Sequence, residues 1–102
     1  MKEACFMAFV VMWVAPGLSQ EQFEPILRPV FQAQPSPDGR LVHLSGPTED
    51  GWRVVDVWEA KAKADVFSSS EALQQALQIM GDQEQKFTEW YVNDVTMVIE
   101  QD

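Results

Sequence analysis

The chain has one cysteine, Cys5, so no internal disulfide can form, which fits a reducing cytoplasm. It has only seven lysines and arginines against sixteen acidic residues, a net charge of −9 and a pI near 4.3. A chain so poor in positive charge cannot lay a basic stripe along a phosphate backbone, and it is repelled by anionic membrane surfaces. Nucleic-acid and membrane partners are therefore not expected. P-loop, dinucleotide-binding glycine pattern, CxxC pair, HExxH and nucleophile elbow are all missing. No metal site is expected, because the acidic stretch Thr48-Glu49-Asp50 lacks the spacing of a calcium loop and reads as a solvated turn. No apolar run is long enough for a transmembrane helix. Internal repeats and low-complexity tracts are lacking too.

What is present is a hydrophobic core in a chain of single-domain length. The 102 residues are 46% hydrophobic and include four tryptophans and six phenylalanines. Met1–Gln20 admits a signal-peptide reading, with Lys2, an apolar run from Ala4 to Ala15 and small residues after it. Glu3 is out of place in such a segment and no A-x-A cleavage pattern follows. The preferred reading is a buried first strand over Cys5–Val14, with Phe6, Ala8, Val10 and Met12 on one face and Met7, Phe9, Val11 and Trp13 on the other. Cys5 is then a small buried hydrophobe.

Pro16-Gly17 ends this strand. Ser19 and Gln22 have the spacing of a capping box, and Phe23, Ile26, Leu27, Val30 and Phe31 follow at helical period. Pro25 and Pro29 fall inside that pattern and predict a short, kinked helix, partly 3₁₀. After the loop 34–39, Arg40–Ser45 and Trp52–Glu59 are strand-like runs joined by Gly46–Gly51, an antiparallel hairpin. Ala60–Met80 reads as helix with Val66, Phe67, Leu73, Leu77 and Met80 inward. Its interruption at Ser68–Glu71, again at capping-box spacing, suggests two helices in sequence. Gly81-Asp82 stops the second. A last strand is expected over Thr88–Glu100, with a bulge or delayed start at Asn93-Asp94.

The order β-α-β-β-α-β is that of a ferredoxin-like α+β fold: a four-stranded antiparallel sheet with helices on one face. A first strand apolar on both faces, with Trp52, Val54 and Trp58 sharing a face of the third, leaves more apolar surface than a monomer normally exposes. The expected remedy is a second copy packed against the open sheet face, giving a homodimer.

The hairpin residues Leu41-Val42-His43-Leu44-Ser45-Gly46-Pro47 and Gly51-Trp52-Arg53-Val54-Val55-Asp56-Val57-Trp58-Glu59 resemble the dimeric α+β barrel proteins. Among these the antibiotic-biosynthesis-monooxygenase-like small domains carry similar hairpins. Phe67 resembles the early Phe of the helix that follows. The resemblance implies a dimeric barrel and, for chemistry, cofactor-independent oxygenation or related proton transfer. The haem-degrading members of that group are a poor match, because Ala60–Met80 has no histidine to ligate haem. No cofactor is expected.

If Gly46 faces Gly51, then Ser45 faces Trp52, His43 faces Val54 and Leu41 faces Asp56, all on one face. His43 and Asp56 become diagonal neighbours flanked by Trp52 and Trp58. An imidazole beside a carboxylate between indoles can orient a phenol or enol and move its proton, with His43 as acid/base and Asp56 as its orienter. Tyr91 is a further candidate for a pocket donor. The competing readings are a polar pair that only fixes strand register, and tryptophans that are only core and interface. Two functions therefore stand: a cytoplasmic homodimer that binds a small aromatic or enolic molecule and, if catalytic, oxygenates it or moves its proton, or a non-catalytic dimeric domain binding a ligand or protein. The catalytic reading requires an enclosed pocket that His43 reaches.

Overall fold

The structure is a computed structural model that describes residues 7–33, 36–81 and 83–96. Its order is β1 (Ala8–Pro16), α1 (Gln20–Ile26), α2 (Arg28–Phe31), β2 (Arg40–Thr48), β3 (Gly51–Trp58), α3 (Lys61–Ser68), α4 (Glu71–Met80) and β4 (Lys86–Val92). The four strands form one antiparallel sheet in the order β2-β3-β1-β4. With the helices on one face, this is the ferredoxin-like arrangement the sequence predicts. Cys5 and Phe6, expected at the start of β1, and Met97–Glu100, expected in the last strand, lie outside the described residues.

Both helical segments are broken in two. Ser19 opens α1 through the predicted capping box: its Oγ accepts from Gln22 N at 3.2 Å, and Gln22 Oε1 accepts from Ser19 N at 2.9 Å. Pro25 and Pro29 each remove an intrahelical donor, and the chain breaks between them at Leu27. The two pieces are α-helical rather than 3₁₀. In the second segment the cap of α4 is Ser70, whose Oγ accepts from Leu73 N; Ser68 instead donates to Asp65 O. Val66, expected inward, is exposed, and Ala64 takes the buried position on α3. Gly81, with φ of 74°, ends α4 as expected.

The helix-facing side of the sheet carries Phe9, Val11, Trp13 and Ala15 of β1 and Trp52, Val54, Asp56 and Trp58 of β3. Phe23, Leu27, Phe31, Leu73 and Ala76 close over it. Trp52, Val54 and Trp58 are thus buried under the helices, and the open face owes nothing to them. That face is apolar through Met12, Val14, Val42, Leu44, Val55, Val57 and Trp90, with Leu44 and Trp90 well exposed.

The hairpin is longer and differently registered than expected. Thr48 pairs with Gly51 across the two residues Glu49-Asp50, so Ser45 faces Val54 and His43 faces Asp56 directly. The strand runs through Gly46 and Pro47 because β2 is a sheet edge, where proline's missing N–H leaves no ladder bond unmade. Gly51 allows a close approach to the end of β1: a Cβ there would lie 2.2 Å from Ala15 O. β4 begins two residues earlier than expected and spans Lys86–Val92, and the described residues 93–96, Asn93-Asp94 among them, lie outside it. Among the described residues, no helix is long and apolar enough to cross a membrane.

Candidate functional site

The register stacks side chains in rows across the helix-facing side. One row runs His43, Asp56, Val11, Glu89 from β2 to β4, and the next runs Arg40, Trp58, Phe9, Tyr91. The second row contains Arg40 only because the register shifts between Arg40 and Val42. Strict alternation would put Arg40 on the open face with Val42 and Leu44. The extra residue, Leu41, is half-exposed and turns Arg40 inward, as a bulge re-aims a side chain.

Asp56 is therefore held from two sides. His43 Nδ1 lies 2.6 Å from Asp56 Oδ1, and Arg40 Nη1 lies 3.8 Å from Asp56 Oδ2. An ionised carboxylate only accepts, so Nδ1 carries the hydrogen of that bond and donates it. Arg40 Nη2 donates to the Phe31 carbonyl at the end of α2. The His43 ring stacks on Phe31, centroids 5.2 Å apart, and Phe31 packs against Phe67. Asp56 is the one buried charged residue in the core among the described residues, at 3% exposure. Two polar atoms beside it, His43 Nε2 and Arg40 Nη1, are buried with no hydrogen-bond partner among the described residues. Buried polar groups without partners are uncommon and costly, which marks this cluster as more than packing.

A cavity of about 80 Å³ lies between sheet and helices beside this cluster. Its walls are apolar, formed by Trp13, Phe31, Trp58, Phe67 and Leu73 among others, and Asp56 contributes a carboxylate. Toward β4 it opens past Phe87, Glu89, Asp65 and Ser68, where among the described residues no helix covers that edge of the sheet. Among the residues proposed from sequence, Asp56 and Trp58 line the cavity. His43 does not; it stands behind Asp56. Trp52 stacks on Phe23, centroids 4.7 Å apart, and borders a separate polar groove with Arg28 and Ser45. Tyr91 sits half-exposed at the sheet edge, its ring packed edge-on against Phe9 at 5.1 Å. Sequence reasoning missed Arg40, whose inward turn depends on a bulge that no residue pattern announces. It also missed Glu89, which the true phase of β4 places in the row of Asp56. Among the described residues, no three His, Cys, Asp or Glu side chains converge as metal ligands.

No protein-family model matches the chain, and no curated protein does. Solved structures do match. A conserved protein from Methanosarcina mazei superposes with a TM-score of 0.69 at 11% identity, covering 83% of this chain and 92% of the other. A candidate antibiotic biosynthesis monooxygenase from Deinococcus radiodurans gives 0.68 at 15% identity, covering 91% and 99%. SnoaB, a cofactor-independent oxygenase from Streptomyces nogalater, gives 0.60 at 11% identity, covering 92% and 98%. The chain has the α+β fold of the antibiotic-biosynthesis-monooxygenase-like proteins, as the hairpin resemblance implies.

Proposed function

We propose that this chain binds a small aromatic or enolic molecule in the cavity beside Asp56 and works as a homodimer in the cytoplasm. One observation carries the reading: an otherwise apolar cavity has a single buried carboxylate on its inner wall, held by His43 at 2.6 Å. Such a site prefers a flat apolar ligand that presents one O–H or N–H donor. Asp56 Oδ2, which makes no hydrogen bond among the described residues, accepts that donor, and His43 acts through Asp56 by fixing its orientation. If the molecule reacts, the step is proton transfer from an enol or phenol toward this pair. Were that step to lead to an oxygenation of the cofactor-independent class for which SnoaB is named, an enolisable ring CH₂ would become C=O. One atom of dioxygen enters the carbonyl and the other leaves with both hydrogens as water.

Dimerisation is supported by the open sheet face, where covering each large apolar side chain such as Leu44 or Val55 is worth about 1.5–3 kcal/mol. Light scattering should give twice the chain mass of 11.6 kDa, and Leu44→Lys should lower it toward one chain.

The binding test is a thermal-shift screen against quinols, phenols, flavins, haem and aromatic acids. A hit that Asp56→Asn abolishes and Trp52→Phe leaves intact supports the site; silence across the screen argues against it. A second reading, a dimeric domain that binds without reacting, is favoured by the position of His43 away from the cavity. Recovery of the ligand unchanged after aerobic incubation would decide for it.

A further inference from the structure

The cavity joins two carboxylates of unlike setting. Asp56 is buried on the inner wall; Glu89, two strands away in the same row, is exposed at the mouth. Only Val11 stands between them, and two strand spacings put their backbones about 9.5 Å apart. Charge at the mouth is otherwise compensated: Asp65 pairs with Lys61 at 2.9 Å, and Asp56 has Arg40 behind it. Glu89 makes no ion pair among the described residues. Lys61 is held by Asp65 first, and Glu89 only adds to the field that raises the lysine's pKa. Among the described residues, no cationic side chain lines the cavity.

Resting on the proposed binding site, we infer that the ligand is a single-ring phenolic amine, its hydroxyl on Asp56 and its ammonium on Glu89. Size favours one ring. At about 80 Å³ the cavity is smaller than the ~150 Å³ space that takes benzene, so a ring fills it and projects into the mouth. Desolvation assigns the ends. A neutral O–H loses little hydration on entering the buried end, whereas an ammonium there would lose several kcal/mol of it. At the exposed mouth the ammonium stays hydrated and meets the unpaired carboxylate. The net charge of −9 steers cations toward the protein and depletes anions near it.

Calorimetric titration with tyramine, para-ethylphenol and para-hydroxyphenylpropionate separates the parts, since these share the para-hydroxyphenyl ring and two-carbon tail and end in an ammonium, no polar group and a carboxylate respectively. Tyramine should bind about two- to fivefold tighter than the neutral phenol, the scale of an exposed ion pair, and the carboxylate should bind weakest. Glu89→Gln should bring tyramine and para-ethylphenol within about twofold of each other, and added salt should narrow the wild-type gap. A preference for tyramine that survives Glu89→Gln, or a carboxylate that binds as well as the amine, overturns this inference and leaves the binding site standing. Failure of all three to bind while the broader screen gives an Asp56-dependent hit overturns this inference alone; failure of all three together with silence across that screen refutes the site, and this inference with it.

Discussion

Replacing Asp56 with asparagine tests the buried cluster most directly. The substitution keeps shape and one acceptor but removes the charge that sits 3.8 Å from Arg40 Nη1, in a pair whose side chains are 7% and 5% exposed. Removing one member of a buried pair costs about 3–5 kcal/mol, because the other charge is left uncompensated. The bond from His43 Nδ1–H can persist to the amide oxygen, which retains about 1 kcal/mol. The expected loss is therefore about 2–4 kcal/mol, a large share of a small domain's total. Urea unfolding followed by tryptophan fluorescence reads it as a lower midpoint, at one fixed protein concentration because association would shift the midpoint. Removing both charges, as Arg40→Met with Asp56→Leu, should cost clearly less than the two single changes added together. A loss under about 1 kcal/mol for Asp56→Asn, or strict additivity in the double variant, would refute the claim that Arg40 and Asp56 are a coupled buried pair.

Three further outcomes follow from the fold. Gly51→Ala must push a methyl against Ala15 O, Gly17 N and Pro16 Cα, all backbone; it should destabilise the hairpin and lower the melting temperature markedly, whereas Gly46→Ala, with open space around it, should not. Leu27→Ala truncates a fully buried side chain between α1 and α2 and should cost about 2–5 kcal/mol in chemical denaturation. The Arg28 hydrogen bond, with help from Gln20, lowers the pKa of Glu24 below its ordinary 4.5. A depressed carboxylate stabilises the fold above its unfolded value and loses that contribution as pH falls through the folded one. Glu24→Gln should therefore remove a small stabilisation at neutral pH and leave stability in acid, below the folded pKa, unchanged, so that the stability–pH curve is flatter around and below pH 4.5.

Much of the architecture was legible because it depends on periodicity and local chemistry. The capping box at Ser19, the breaks around Pro25 and Pro29, and the apolar spacing from Phe23 to Phe31 are local facts that tertiary packing preserved. The pairing of His43 with Asp56 was also legible, since a slip of two residues keeps every side chain on its face. The slip arose from reading Gly46-Pro47 as a turn. Whether proline breaks a strand depends on whether that strand is an edge, and edge position belongs to the whole sheet. Val66 failed for a similar reason: a helix cut at Ser69 faces the sheet by its own rotation, independent of the phase carried over from α4.

The site was harder to read than the fold because its composition depends on two long-range facts. Register shift at Leu41 brings Arg40 to Asp56, and among the described residues no helix lies over β4, which leaves the cavity open beside Glu89. The hairpin supplied a histidine and a carboxylate on one face, and an acid/base role for His43 followed naturally from that pair alone. With Phe31 stacked over the imidazole and the cavity on the far side of Asp56, the order of the two residues is reversed. Asp56 lines the cavity and is the group a ligand would meet in the proposed site, with His43 and Arg40 held against it from behind. A site of this kind discriminates ligands at its mouth more than at its buried end. The charge of the buried carboxylate is already balanced by Arg40, leaving Oδ2 to accept one hydrogen bond, whereas Glu89 makes no ion pair among the described residues and in the proposed site meets a charged tail.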